Sequence, residues 1–308
     1  MKKQLIILAI SIFCLSANAQ NDLVKTYYSN GNLKSEIPNP VANSKTIAKE
    51  YYENGTIKTE IPYTGIFING VSKVYFESGK LQYEETYIYD SRNGKAIEYF
   101  DSEGSEGKIK KETPYQDNQI NGMVKTYYVS GKILLEEPFK DNITNGILTE
   151  YYENGNIKYQ VNFSENKKNG IEKRFSENGK LKVEIPFKND QIEGIVKEYF
   201  DSEKLKLEIP YFNNNKNGEA KEYFDSEGSE GKLYKVIPYQ NNNIEGVLRG
   251  YFESGKLNFT VDYVNNKKNG YLKEYYENGL LKWEAKCIND EQVGESKEYD
   301  ENGKLKQN

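Results

Sequence analysis

The chain has 308 residues, with 42 Lys and Arg, 47 Asp and Glu, and no histidine. The absence of histidine excludes Ser-His-Asp and Cys-His nucleophile pairs, imidazole acid–base catalysis and histidine metal ligands. With 36% hydrophobic residues, 27 tyrosines and only two cysteines, the composition is too aromatic for a disordered chain, too polar for one deep core, and too poor in thiols for a disulfide framework.

The first 19 residues have the pattern of a secretory signal peptide. Met1-Lys2-Lys3 is basic, Leu5–Leu15 is apolar, and Ala17-Asn18-Ala19 has the form of a cleavage site. The sequence therefore predicts cleavage after Ala19 and export to the periplasm, the cell surface or the medium. The apolar run is too short to anchor the chain in a bilayer, and no other long apolar segment predicts membrane insertion.

Removal of the predicted signal peptide leaves 40 basic and 47 acidic side chains, a formal charge of −7. Nucleic-acid binding requires clustered Lys and Arg to neutralise phosphates, and no such cluster occurs. The composition thus predicts a partner other than nucleic acid.

Residues 20–308 are predicted to form a single array of about twelve copies of one repeat, and internal repetition is the strongest signal in the sequence. The copies are 24 residues long, except for two expanded copies of 28. Both expansions come from the same insertion, since Glu98–Lys108 is identical to Glu222–Lys232. Each copy begins its central motif with an aromatic residue, at Tyr27, Tyr51, Tyr75, Tyr99, Tyr127, Tyr151, Phe175, Tyr199, Tyr223, Tyr251, Tyr275 and Tyr299.

Each copy is predicted to be a β-hairpin. Leu181–Phe187 alternates apolar and polar residues, which is typical of a strand with one apolar face. The Tyr-Tyr pair lies on the preceding strand, and Glu-Asn-Gly or Ser-Gly between the two strands supplies the residue with positive φ that a tight turn needs. A longer polar loop such as Asn189–Gly194 then leads to the next hairpin.

A single hairpin of this size is marginal in water, so each copy must pack against its neighbours. The predicted fold class is therefore all-β, an extended antiparallel meander of tandem hairpins with about 24 short strands and a solenoid-like arrangement. Cys287 occupies a position that is aromatic in most other copies, so we expect a small buried hydrophobe there and not a reactive thiol.

The aromatic pair suggests a binding surface. A two-residue Asn-Gly turn would pair the second aromatic with the following Leu or Ile, whereas a three-residue turn with a glycine bulge would pair the first and leave the second on the far face. We favour the three-residue turn because the first position is aromatic in all twelve copies. Rigid rings in a row are good contact residues for a partner; the alternative is that they form a second thin core covered by lysine stems. The predicted partner-binding residues are Tyr28, Tyr52, Phe76, Phe100, Tyr128, Tyr152, Phe200, Phe224, Phe252 and Tyr276.

Catalysis is not expected. Glutamates such as Glu36, Glu60 and Glu184 recur at one repeat position, and lysines such as Lys34 and Lys58 recur two residues before it, so cross-strand ion pairs explain both. The Asp101–Gly107 and Asp225–Gly231 insertions carry carboxylates that calcium could use, but they lack the spacing of an EF-hand loop and are interpreted as acidic hairpin tips. The sequence thus predicts no catalytic residue, no cofactor and no metal.

The repeat resembles the MORN-repeat variant found in YwqK-type antitoxins. The closest copies are Gly146–Gly170, with Tyr151-Tyr152-Glu153-Asn154-Gly155, and Gly270–Gly294, with Tyr275-Tyr276-Glu277-Asn278-Gly279. The resemblance implies a β-hairpin array that recruits partners. We expect an exported, non-catalytic scaffold for a protein partner such as an envelope, host-surface or toxin protein. The alternatives are an immunity-like protein that neutralises a toxin, and a glycan-binding surface protein whose rings stack on sugars.

Overall fold

A computed structural model describes residues 23–39, 41–102, 104–226, 228 and 231–306. The predicted signal peptide, residues 1–19, lies outside the described residues, as do Glu103, Glu227, Ser229 and Glu230 of the two insertions. The described residues contain strands and turns but no helix, and all strand pairings are antiparallel. The predicted all-β architecture of tandem hairpins is confirmed.

The chain divides into two compact units. One unit holds the described residues up to Gly94 together with those of Asp101–Gly107, and the other holds Lys95–Phe100 and the described residues from Lys108 onward. Within each unit, consecutive hairpins pair side by side in chain order.

The first eight strands precede the first insertion. They are β1 Leu23–Tyr27, β2 Leu33–Pro38, β3 Lys45–Tyr51, β4 Ile57–Thr64, β5 Phe67–Ile68, β6 Gly70–Tyr75, β7 Leu81–Ile88 and β8 Ser91–Tyr99. The next eleven are β9 Ile109–Gln116, β10 Gln119–Ile120, β11 Gly122–Tyr127, β12 Ile133–Lys140, β13 Ile143–Thr144, β14 Gly146–Tyr151, β15 Ile157–Ser164, β16 Lys167–Lys168, β17 Gly170–Phe175, β18 Leu181–Lys188 and β19 Gln191–Ile192. The remaining eleven are β20 Gly194–Tyr199, β21 Leu205–Phe212, β22 Asn215–Lys216, β23 Gly218–Tyr223, β24 Leu233–Gln240, β25 Asn243–Ile244, β26 Gly246–Tyr251, β27 Leu257–Val264, β28 Lys267–Tyr275, β29 Leu281–Ile288 and β30 Glu291–Glu298.

In the unexpanded copies the first turn is the predicted three-residue turn with a bulge, and glycine takes the bulge position in all of these copies but the one with Glu203. In the β3–β4 hairpin, Gly55 N donates to Tyr52 O at 2.9 Å and Tyr52 N donates to Thr56 O at 2.8 Å. Gly55 has a φ of +85°, a region in which a Cβ is costly. Tyr51 consequently pairs with Ile57, as this turn predicts.

The second connection is more ordered than the predicted polar loop. It is a two-residue turn whose central residues both have positive φ, as at Asp117 (50°) and Asn118 (68°), which is the type I′ geometry that matches the twist of a hairpin. Asn and Asp tolerate this region better than other non-glycine residues. Seven two-residue strands next to these turns, such as β10 and β13, raise the strand number in the described residues to thirty, above the 24 expected.

A bulge in each second strand changes which side chains share a face. The register shifts between Glu150 and Tyr151, so Tyr151 pairs with Ile157 whereas Glu150 pairs with Tyr159. The alternation of faces expected along the second strand is therefore broken at the residue that follows Ile157. The first aromatic and its Leu or Ile partner lie on the same face as the recurring Lys, Glu and Pro residues. We call this face the polar face. The opposite face carries the core.

The core is thin and lies on that second face, which we call the core face. Val161 is fully buried opposite Leu148, and Ala220 is buried opposite Ile237. Cys287 is buried opposite Gly270 with a free thiol, which confirms its interpretation as a buried hydrophobe. The core face also holds one fully buried charge, Glu172.

Candidate interaction surface

The ten aromatic residues predicted to bind a partner, which we call the aromatic ladder, are all half-buried. Because the bulge moves the Leu and Ile positions to the polar face, the second aromatic of each pair shares its face with the core. Tyr152, for example, is two residues beyond Glu150, and Lys158 Nζ lies 2.8 Å from Glu150 Oε1 and 5.9 Å from the centroid of the Tyr152 ring. The ladder thus lies on the face opposite the Leu and Ile positions, as the three-residue turn predicts, and that face also carries the core.

The tyrosines of this ladder link neighbouring hairpins. Tyr52 Oη donates to the backbone oxygen of Tyr75 at 2.8 Å, and Tyr128 Oη donates to that of Tyr151 at 2.7 Å. The same bond joins Tyr28 to Tyr51, Tyr152 to Phe175 and Tyr276 to Tyr299. Lysine ammonium groups lie 5.7–6.0 Å from the ring centroids of Tyr28, Tyr52, Tyr152 and Phe200, within the range of a cation–π contact.

These contacts give the ladder a function inside the chain. A hydroxyl that satisfies a carbonyl of the next hairpin stabilises the stacking of copies, and the lysine stems cover the rings as a thin second core would require. A role of the ten residues as partner contacts stays a prediction.

The first aromatic of several pairs makes a different link, on the polar face. Tyr75 Oη donates to Glu60 Oε2 at 2.7 Å and Tyr199 Oη donates to Glu184 Oε2 at 2.8 Å. In each case the carboxylate belongs to the preceding hairpin. Burial, followed by the hydrogen bond to the carboxylate, raises the pKa of Tyr75 and of Tyr199 to about 12.

The glutamates of this row also pair with lysines, though not with those predicted. Lys125 Nζ lies 2.9 Å from Glu136 Oε1, directly across the hairpin. The predicted lysine position, two residues before the glutamate on its own strand, falls at the bulge and pairs elsewhere, as Lys158 does with Glu150. The carboxylates of this row are thus engaged in ion pairs and phenol hydrogen bonds.

The surface that the sequence patterns did not reveal is a row of exposed apolar side chains on the polar face. In the second unit the row contains Met123, Ile147, Ile171 and Ile195, which we call the apolar stripe. Ile147, Ile171 and Ile195 are 53%, 52% and 49% exposed. Each stripe residue directly follows the glycine that opens its strand, so the signal was present as an apolar residue after Asn-Gly or Glu-Gly in these four copies.

The stripe has a regular environment. Met123 pairs with Pro138, Ile171 with Pro186 and Ile195 with Pro210, so pyrrolidine rings lie beside the aliphatic side chains. Successive members are two strands apart, about 9.6 Å, because neighbouring strands are separated by about 4.8 Å. The row of Lys–Glu pairs runs alongside. Glu219 takes the next position, and Val247 and Tyr271 continue the row with 41% and 44% exposure.

A buried ionic cluster around Glu172 lies on the core face beneath the stripe. Glu172 accepts hydrogen bonds from Lys168 Nζ at 2.7 Å and Arg174 Nε at 2.8 Å, and Tyr159 Oη lies 3.2 Å away. Burial acts to raise the pKa of Glu172, but the bonds from Lys168 and Arg174 outweigh it and hold that pKa below its ordinary value. A buried carboxylate without these cations would be strongly destabilising.

The described residues hold no candidate metal cluster and no candidate membrane-spanning helix. Among those residues no group of three or more Cys, Asp and Glu side chains is arranged to hold a metal ion. The same residues include no helix of the length and apolarity that crossing a bilayer requires.

These features define a tandem β-hairpin repeat protein with bonds between copies on both faces. The MORN repeat variant model matches residues 23–38, 46–64, 68–89, 120–141, 144–165, 168–189, 192–213, 244–265 and 292–308. These segments cover more than half of the chain, and the chain belongs to the MORN repeat variant family.

The other comparisons add little. No curated protein matches the chain. Among solved structures, it is 11% identical to a chain of the TcdB2-TccC3-TEV crystal structure, with 91% of this chain and 20% of that chain covered and a TM-score of 0.19. A Photorhabdus luminescens Tc holotoxin pore structure is also 11% identical, with 90% and 20% covered and a TM-score of 0.17. The chain thus spans a fifth of the length of these chains, and scores this low carry no structural argument.

Proposed function

We propose that the protein is an exported, non-catalytic scaffold that binds a protein partner along the apolar stripe. The observation that carries this proposal is the exposure of Ile147, Ile171 and Ile195, about half of each side chain, at a constant spacing on one face. Contiguous exposed apolar side chains beside charged ones are typical of protein interaction sites. Repeat proteins commonly present such regular surfaces to their partners.

The non-catalytic part of the proposal is supported by the row of glutamates. Glu136 is bonded to both Lys125 and Tyr151, and the hydrogen bond from Lys125, followed by that from Tyr151, lowers its pKa despite partial burial. A general acid would need the opposite shift. Because the same arrangement recurs at Glu36, Glu60 and Glu184, it is explained by the repeat and requires no unique active site.

The binding test compares three forms of the full chain on beads exposed to envelope extracts. In the stripe variant, Ile147→Glu, Ile171→Glu and Ile195→Glu are combined; the chain itself carries Glu219 at this position, so the fold accepts a carboxylate there. The control variant combines Val129→Glu, Val264→Glu and Ile288→Glu, three residues of similar exposure outside the stripe.

We expect at least one protein to be retained by the wild-type and control forms and lost from the stripe variant. A photo-crosslinking amino acid at position 171 should then form an adduct with that same protein. Retention of identical proteins by all three forms would contradict the proposed use of the stripe.

Export is tested separately. The pattern of Met1–Ala19 supports it, and N-terminal sequencing of the protein from fractionated cells should find a chain that begins at Gln20. A protein recovered from the cytoplasm with Met1 or Lys2 at its N-terminus would disprove this part of the proposal.

A role in neutralising a toxin is the alternative that the resemblance to YwqK-type antitoxins raises. It would use the same stripe, since a toxin that covers Ile147–Ile195 is a protein partner of the proposed kind. Co-expression with a protein captured by the stripe separates the two: an antitoxin restores growth of cells that the captured protein kills, whereas a scaffold leaves growth unchanged.

A further inference from the structure

The second unit contains a pocket on its core face that the proposed function does not use. It is lined by Glu274, Lys282, Trp283, Glu298 and Lys306 and has a volume of about 310 Å³. Trp283 lies at its centre, because Glu274 on β28 and Glu298 on β30 are its register partners on either side. This volume is at the small end of the range for ligand pockets, about 300–1,000 Å³, and suits one ring of a ligand.

Trp283 distinguishes this pocket from the equivalent positions of other copies. It is the only tryptophan of the sequence. The corresponding residue is Val183 in β18 and Leu207 in β21, each likewise placed between residues of the two adjacent strands. A fold that is satisfied by Val or Leu at this position does not need an indole there, and the half-buried ring is left facing a pocket.

The polar groups of the pocket come in balanced pairs. Lys282 Nζ lies 3.6 Å from Glu274 Oε2, and Lys306 Nζ lies 3.5 Å from Glu298 Oε2. About half of each of these four side chains is exposed. At these distances and exposures the ion pairs are weak, so the carboxylates and ammonium groups remain available to another donor or acceptor.

From this arrangement we propose that the pocket binds a pyranose ring of a neutral oligosaccharide, stacked on Trp283. The face of an indole is electron-rich, and the C–H bonds on one face of a pyranose present weakly positive hydrogens to it. The ring hydroxyls can donate to Glu274 and Glu298 and accept from Lys282 and Lys306, since carboxylates only accept and ammonium groups only donate.

The charge of the pocket selects against other ligand classes. Two carboxylates and two ammonium groups cancel, so neither a cation nor an anion gains from the net field. An apolar ligand would cover the polar groups without bonding to them, which costs free energy. A neutral ligand with many hydroxyls meets neither penalty.

The sole tryptophan makes a direct test possible, because selective excitation of the indole reports on this pocket alone. The full chain is titrated with cellohexaose, maltohexaose, xylohexaose and chitohexaose, and the emission of Trp283 is recorded. We expect a saturable change with at least one of the four sugars. Calorimetry on Trp283→Leu should show binding of that sugar weakened at least about tenfold, a loss of about 1.4 kcal/mol.

Matched variants separate binding from folding. Since Leu207 occupies the equivalent position, Trp283→Leu should keep the circular dichroism spectrum of the wild type. Glu298→Gln keeps the shape of the side chain and should weaken sugar binding severalfold, whereas Phe212→Leu, at an exposed position on β21, should leave it unchanged. The proposal is overturned if no sugar gives a saturable signal, if Trp283→Leu binds as tightly as the wild type, or if tetramethylammonium binds and the sugars do not.

Discussion

The phenol of Tyr75 and the carboxylate of Glu60 join two hairpins, with Tyr75 Oη donating to Glu60 Oε2 over 2.7 Å. The hydrogen bond from Tyr75 is the largest influence on the pKa of Glu60 and lowers it, and Lys49 acts in the same direction from 3.3 Å. One carboxylate thus accepts from its own hairpin and from the next, which couples the stability of consecutive copies.

Removal of this phenol should weaken the link between the two hairpins. We expect Tyr75→Phe to lower the free energy of unfolding by about 0.5–1.5 kcal/mol, the usual net contribution of a hydrogen bond, as measured by urea denaturation. Tyr275→Phe is the matched control, because the residue at the Glu60 position of the preceding copy is Thr260 and not a carboxylate. Equal losses in the two variants would show that the carboxylate contributes nothing.

Alkaline pH should weaken the protein through the same phenols. Burial, and next the bond to a glutamate, raises the pKa of Tyr51, Tyr75, Tyr199 and Tyr223 from 10.0 to about 12. The unfolded chain therefore loses these protons before the folded chain does. The stabilisation is complete below pH 10 and is lost as the pH rises from 10 to about 12.

The measurement is the urea midpoint between pH 8 and pH 12, together with the absorbance of tyrosinate in the native protein. We expect a constant midpoint up to about pH 10, a decline above it, and a group of phenols that ionises near pH 12. If every phenol of the folded protein ionised near pH 10, the phenol–carboxylate bonds would be absent in solution.

The second turn of each copy offers another test, at Asn142. Its backbone nitrogen donates to Ile120 O at 2.9 Å and its side-chain Oδ1 accepts from Ile120 N at 2.7 Å, so the side chain pairs with the preceding copy as a strand would. Its φ is 66°, which Ala adopts only with strain.

Substitutions at this turn separate the two effects. We expect Asn142→Ala to destabilise the protein by about 2–3 kcal/mol through the lost bond and the strain together. Asn142→Gly should cost about 1 kcal/mol, because glycine removes the strain but not the loss of the bond. Asn142→Asp should be nearly neutral, since Asp90 and Asp190 make the same bond in other copies. If urea denaturation gave Asn142→Gly a lower free energy of unfolding than Asn142→Ala, this account would be refuted.

One turn carries a residue that does not suit it. Glu203 occupies the position taken by glycine in other copies, with a φ of 65°, and its nitrogen donates to Phe200 O at 3.0 Å. We expect Glu203→Gly to raise the free energy of unfolding by about 0.5–1 kcal/mol, since the relief of strain exceeds the entropy that glycine adds to the unfolded chain. Gly155→Glu is the reciprocal control and should destabilise by a similar amount, because no atom lies within 4 Å of the point that its Cβ would occupy and only the strain remains.

Much of the local architecture could be predicted because the same sequence motif recurs in every copy. Asn54-Gly55 indicates a turn with positive φ, and a three-residue turn requires the observed pairing of Tyr51 with Ile57. The all-β class follows from the same repetition, since a lone hairpin cannot bury its apolar side chains.

The faces could not be predicted from alternation alone. A bulge adds one residue to a strand, here next to Ile157, and every side chain beyond it changes face relative to the simple alternation. This single event placed the aromatic ladder on the core face. It also left Ile147 and Ile171 exposed, at positions where an apolar residue would otherwise be assigned to the core.

The contacts between copies were also beyond the sequence patterns. Asp117 and Asn118 contain no glycine to announce a type I′ turn, and the bond from Asn142 to Ile120 depends on how two copies stack. Glu172 illustrates the same limit, because its burial is tolerated only through Lys168 and Arg174, which approach it from its own copy in three dimensions.

The turn bonds of the second unit, from Asn142 to Ile120 and from Asn166 to Thr144, each reach only the copy immediately before. A mechanical load on the two ends of this unit would therefore be carried through a series of links between neighbouring copies. If the bonds between one copy and the next opened, 24 residues, about 80 Å of contour length, would be released, while the remaining hairpins kept their bonds. Under tension this unit would therefore lengthen in discrete steps of one copy at a time.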